Sequence, residues 1–252
     1  MKMKKMNGIV ACLASAFLLI SVACAERVQD YAFAQDRIWE LEEKYGIQLL
    51  TGAEATVFNP EYGDLIVEEP TYEQPVLQHI LGYEIDPEAE FLAVLDRLEE
   101  ALGRYPEGFF ARFQPALTVS LIGKSYYEGE SGKFSGFFDD LSPEPHLYVD
   151  VNAIPRTFHH ELWHAIEYTF GLEFPDWNDL NREGFVYGEQ EYVNLYDYDE
   201  EYFYWYYSAM DEGEDRATVF EAYFLEDAEW WEEHPHLRMK LDVMLDIIEW
   251  RY

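Results

Sequence analysis

Two histidines four residues apart, with a glutamate directly after the first, constrain this chain more than any other feature. They lie in TFHHELWHAIEY, residues 157–168, as His160-Glu161-Leu162-Trp163-His164. On a helix, positions i and i+4 share one face a turn apart. Both imidazoles can then reach one metal ion at roughly 2.0–2.1 Å. Glu161 leans to the side of that ion, where it can take a proton from water activated there. Phe158, Leu162, Trp163, Ala165 and Ile166 supply apolar surface, and Pro155 stands just before the expected start. The segment therefore predicts a buried helix with one polar face kept open. The competing reading is two core histidines satisfied by ordinary hydrogen bonds.

A catalytic zinc site takes three protein ligands and leaves one position open. Phe170 stands where the three-histidine pattern H-E-x-x-H-x-x-G-x-x-H has its last His, so that pattern is excluded. A carboxylate from a second element is expected instead, and Glu183, Glu214 and Glu221 are the candidates. Glu183 follows His164 by 19 residues (183 − 164), but Gly184 comes next and the NREGF segment has the character of a turn. Glu214 and Asp215 open a helical stretch with Ala217, Phe220, Glu221, Ala222 and Phe224, and both acids suit a helix N-terminus. His159 cannot share the face of His164, and is expected either behind the ligands or at the surface.

The rest of the chain supplies a scaffold. Residues 26–45 have a helical period ending at Gly46, and Ile47 to Leu50 is a candidate strand. Turn formers dominate from Thr51 to Pro75, which predicts a long surface connection. Glu88 to Leu102 predicts a second helix with Phe91, Leu92, Val94, Leu95, Leu98 and Leu102 inward, and Pro106 to Phe113 a helical turn. Leu117–Leu121, Phe134–Phe138 and His146–Val151 have strand patterns, predicting a small sheet packed on the metal helix. The edge of such a sheet can take up an extended peptide. Residues 174–188 are rich in turn formers. The aromatic stretch 192–207 keeps no period, and is expected as a lid or as a cover for the cleft floor. Its acids Asp197, Asp199, Glu200 and Glu201 are candidates for Ca2+ binding. Residues 234–250 form an amphipathic helix with Leu237, Leu241, Met244, Leu245 and Ile248 on its apolar stripe.

Residues 1–25 read as a signal peptide. Lys2, Lys4 and Lys5 precede the apolar run Ile9–Val22, and Ala23-Cys24-Ala25 is a small-x-small cleavage site. Two alternatives are an uncleaved membrane anchor and a lipoprotein lipidated at Cys24. The chain is accordingly expected outside the cytoplasm, secreted or held at the cell envelope. Both cysteines, Cys12 and Cys24, fall in this leader, so the mature chain is expected to fold without disulfides. Losing the three lysines takes the formal net charge from −34 to −37. Such a surface repels nucleic acid and anionic membranes and favours cationic partners. With 17% aromatic residues it is no disordered acidic tail. Oligomeric state is not legible in the sequence.

HHELWHAIEY taken together with EGEDRATVF resembles the zinc-binding metallopeptidases of exported bacterial proteins. This is a gluzincin-type group whose active-site layout is similar to that of the anthrax lethal factor catalytic domain. WNDLNREGFVYG also resembles the group's W-x-x-L-N-P-x-G-F-x-Y-G turn. Arg182 departs from the usual Pro, and Thr218 stands where the second Glu of the E-D-x-A-E-x-F-like run is typical. The resemblance covers roughly residues 115–225 and implies an α+β, zincin-like fold. In that fold a small mixed sheet packs on the H-E-x-x-H helix, followed by a ligand-bearing helix and a C-terminal amphipathic helix. It implies one zinc held by His160, His164 and Glu214, with Glu161 as general base. It also implies Tyr207, seven residues before Glu214, as a donor to the developing oxyanion, with the adjacent Tyr206 as the alternative. Residues 26–113 then form a mainly helical N-terminal part and residues 114–252 the catalytic part of one compact unit.

The expected function is that of an exported zinc metallopeptidase acting on peptides or proteins, cationic ones if the surface charge guides them. Two alternatives stand beside it. One is an extracytoplasmic binding protein or adhesin that keeps zinc without turnover, and the other is a cation-binding surface protein.

Overall fold

The computed structural model describes residues 31–56, 60–63, 65–70, 86–127, 133–189 and 198–251. The leader, the start of the first predicted helix, part of the 51–75 connection and Asp197 lie outside them.

The first helix, α1 (Gln35–Tyr45), begins after a short 3-10 turn at Ala32–Ala34 and buries Ile38 and Leu41. It stops at Gly46, whose φ of 71° lets its N–H return to the Glu42 carbonyl. Strand β1 (Gln48–Leu50) follows. A second strand, β2 (Leu65–Glu68), lies inside the stretch expected as a bare connection. It pairs antiparallel with β4 (Lys124–Tyr127), another strand without a strong alternation of its own. Each of these two depends on the other, which is why neither stands out in the sequence.

Helix α2 (Pro87–Leu102) is capped by Asp86, whose carboxylate accepts the N–H groups of Glu88 and Ala89, with Pro87 in the first turn. It buries Phe91, Val94, Leu95, Leu98 and Leu102. Leu92, expected inward, is 37% exposed because it sits one residue, about 100°, off that stripe. The predicted turn after α2 is a 3-10 segment at Phe110–Arg112.

Strands β3 (Thr118–Ile122), β5 (Gly136–Phe138) and β6 (His146–Asp150) complete a mixed sheet of order β1-β3-β6-β5. The pairs β1–β3 and β3–β6 are parallel, and β5 runs antiparallel to β6 at the edge. All of β3 is buried, Thr118 and Ser120 included, so the alternation Leu117–Leu121 does not mark a solvent face. On its second face Ile122 packs with Ala55 and with Tyr148 of β6. Ser120 Oγ is satisfied there by His146 Nε2 at 2.7 Å.

The sheet packs against α3 (Arg156–Phe170), which packs in turn on α4 (Glu212–Leu225). Two further helices close the chain. These are the short α5 (Ala228–Glu233), not foreseen, and α6 (Pro235–Arg251), which lies against α4. Leu237, Leu241 and Met244 of α6 are buried as the stripe predicts. Lys240 is buried beside them with no exposed surface.

Candidate metal centre

Helix α3 sends Phe158, Leu162, Trp163, Ala165 and Ile166 into the core and turns His160 and His164 to the other side. Their ring centroids are 5.1 Å apart. Glu214 comes from the first turn of α4, and the Asp211 N-cap that starts this helix accepts the Glu214 N–H at 3.0 Å. Glu214 Oε2 lies 3.0 Å from His160 Nε2 and 3.7 Å from His164 Nε2. One ligand atom of each residue falls within 4.8 Å of the others, so the three could hold a metal ion. Donors around tetrahedral zinc sit roughly 3.3 Å apart at the usual bond lengths, close to these separations. Among the described residues this is the one such group. Glu183, the thermolysin-like alternative, is exposed in its turn and outside the group.

Glu221, weighed in the sequence as a third ligand, lies behind His160 instead. Its Oε2 is 3.4 Å from His160 Nδ1, while its Oε1 accepts from Arg156 Nε. A carboxylate behind a ligating imidazole fixes the ring and its tautomer. Thr218 is used otherwise: its hydroxyl donates to the Asp215 carbonyl and is paired with Ser208.

Asp215, next to Glu214, suits a helix start by its sequence, and in the fold it is a buried hub. Its Oδ2 accepts from Trp177 Nε1 at 3.0 Å, Tyr187 OH at 2.6 Å and Lys240 Nζ at 2.7 Å. Asn181 Nδ2 donates to Tyr187 OH at 2.8 Å. The Trp, Asn and Tyr of the WNDLNREGFVYG turn thus converge on the residue beside Glu214. His159 is neither exposed nor behind the ligands. It is fully buried on the opposite side of α3, bonded to Tyr105 OH at 2.8 Å and stacked on Phe224 at 4.2 Å. Burial pulls its pKa down to about 3.

Charges at the site are strongly coupled. Burial disfavours charge on both His160 and Glu214, but their mutual hydrogen bond opposes it. Glu214 falls to about 2 with help from His164, and His160 rises to about 10 with help from Glu221 and Glu161. Burial raises the pKa of Glu161, and the two histidines oppose that rise. Its carboxylate also accepts the Phe138 backbone N–H of β5. The approach of strand to helix relies on Gly136, where an added Cβ would meet Tyr148 O at 2.4 Å and Thr157 Cγ2 at 2.5 Å. Tyr207 OH donates to Glu214 Oε1 at 3.5 Å. Burial and the surrounding carboxylates raise its pKa, so it keeps its proton.

The group lies in a cleft of about 1080 Å³, at the upper end of small-molecule pockets. Edge strand β5 forms one side of it, and Trp205, Tyr206 and Tyr207 also line it. Of the acids expected to bind Ca2+, Asp199 pairs with Arg182 and Glu201 with His236. Compared with protein-family models, with curated proteins and with solved structures, the chain matches none.

Proposed function

We propose that this protein is an exported zinc metallopeptidase of the gluzincin type, cleaving peptide or protein chains that lie extended in the cleft. The observation that carries the reading is the convergence of His160, His164 and Glu214 on one cleft, with the buried Glu161 between the histidines and the edge strand. Zinc in that group would supply Lewis acidity toward a carbonyl oxygen. The remaining chemistry falls to the chain. Strand β5 offers its outer edge to an extended substrate, which main-chain hydrogen bonds would align. The Glu161 carboxylate accepts a proton from the attacking water and returns it to the leaving amine. Burial raises its pKa, which makes the carboxylate a stronger base. Tyr207, protonated and next to Glu214, donates to the oxygen on which negative charge develops.

The leader sequence supports export, with a lipid anchor at Cys24 as the alternative to free secretion. Elemental analysis of the purified chain and cleavage of a mixed peptide library test the proposal together. One zinc per chain is expected, lost in Glu214→Ala and kept in Glu183→Ala and Glu161→Gln, with cleavage abolished in Glu161→Gln. An active, zinc-replete Glu161→Gln protein would remove Glu161 from its role. Zinc without any cleavage by the unaltered chain would favour the binding protein or adhesin.

A further inference from the structure

The overall charge of −34 points to cationic substrates, but the cleft has a different balance. Five carboxylates line it: Asp140, Glu161, Glu167, Glu214 and Glu221. Glu167 is taken by Arg216, whose Nε and Nη2 both lie 2.8 Å from Oε1. Glu221 is taken by Arg156 and His160, and Glu214 by the two histidines. Glu161 is buried on the Phe138 N–H, and Asp140 accepts Tyr62 OH at 3.0 Å. Opposite charge is on hand at Arg156, one turn before His160 and about 6 Å from it along the helix axis. The Arg156 side chain is 48% exposed in the cleft.

Arg156 is also held in place. Its Nε is fixed by Glu221, and its guanidinium lies 4.9 Å from the Trp205 ring centre and 5.8 Å from that of Tyr204. Among the described residues its Nη1 and Nη2 groups have no acceptor. A planar fork clamped at its Nε side and open at its end matches a carboxylate bidentately.

We infer that Arg156 is a specificity residue that takes a substrate carboxylate, either an Asp or Glu side chain or a free C-terminus, within a helical turn of the scissile bond. The inference rests on the peptidase reading for its substrate class, but its test does not need turnover. Binding is measured by fluorescence anisotropy on zinc-loaded Glu161→Gln protein, and zinc content is checked for every variant. Labelled peptides are compared in pairs, Glu against Gln at each position in turn and free acid against C-terminal amide, which separates the two carboxylate sources.

One pair should differ by roughly tenfold to a hundredfold in favour of the carboxylate. Adding Arg156→Gln should bring that ratio close to one. Adding Arg156→Lys, which keeps a cation for Glu221 but loses the fork, should give an intermediate ratio. A purely structural Arg156 would lower both members of a pair together and leave the ratio intact, which would overturn the assignment. Equal binding in every pair, a preference for Lys or Arg peptides, or no binding at all would overturn it too. Failure of the unaltered chain to cleave any peptide, with the carboxylate ratio present, would sink the peptidase reading and leave the subsite standing.

Discussion

Replacing Lys240 by Met should destabilise the protein far more than a substitution on an exposed C-terminal helix would. Lys240 and Asp215 are both without exposed surface, and Lys240 Nζ bonds Asp215 Oδ2 and the Tyr202 carbonyl at 2.7 Å each. The ammonium also lies 4.4 Å from the Phe203 ring centre. Met nearly matches the volume, so the loss is mainly electrostatic. Asp215 keeps Trp177 and Tyr187 as neutral donors but loses its buried countercharge. Removing one partner of a buried pair costs about 3–5 kcal/mol. For a chain of this size that lowers Tm by roughly 6–20 °C. Thermal and urea unfolding followed by circular dichroism would read the loss. The double variant Lys240→Met with Asp215→Asn should recover part of it, because no unpaired charge then remains inside. A Lys240→Met protein within about 1 kcal/mol of the parent would refute the claim that the buried Asp215 depends on Lys240.

Two further outcomes follow from the same structure. Glu221→Gln should weaken zinc binding about 10–100-fold in competition with a chelator while leaving the ligand set intact, since it removes the carboxylate behind His160 Nδ1; unchanged affinity would reduce Glu221 to an anchor for Arg156. Burial lowers His146 to about 4, so the unfolded chain binds its proton first as pH falls. Stability present above pH 6.5 should therefore decline toward pH 4, and His146→Gln should flatten that decline in a Tm series; an unchanged slope would show that His146 is not buried neutral.

The metal group was legible because its chemistry is local. His160 and His164 need only a helix, and a helix start at Glu212 puts Glu214 in the first turn. The amphipathic periods of α2 and α6 were legible for the same reason: burial on one side leaves a period. What was hidden depends on partners distant in sequence. β2 and β4 exist by pairing with each other, 58 residues apart at Val67 and Ser125 (125 − 67) and near that throughout (for Leu65 and Tyr127, 127 − 65 gives 62). Glu221 could not be told from a ligand by spacing, because only the fold decides whether it faces the metal or the back of His160. Lys240 reads as a polar break in an apolar stripe until Asp215 is seen beneath it. Arg156 carries no signal at all without the cleft.

Gly136 has a mechanical consequence. Strand β5 sits where it does because one residue lacks a side chain, and Phe138 two positions on holds the carboxylate of Glu161. The strand edge and that carboxylate therefore share one degree of freedom. A peptide bound on the outer edge of β5, as proposed, would tug on the same backbone that reaches Glu161, so loading the edge would shift that carboxylate. Tension applied at the rim of the sheet would then reach, through a single amide, the carboxylate proposed as the proton acceptor.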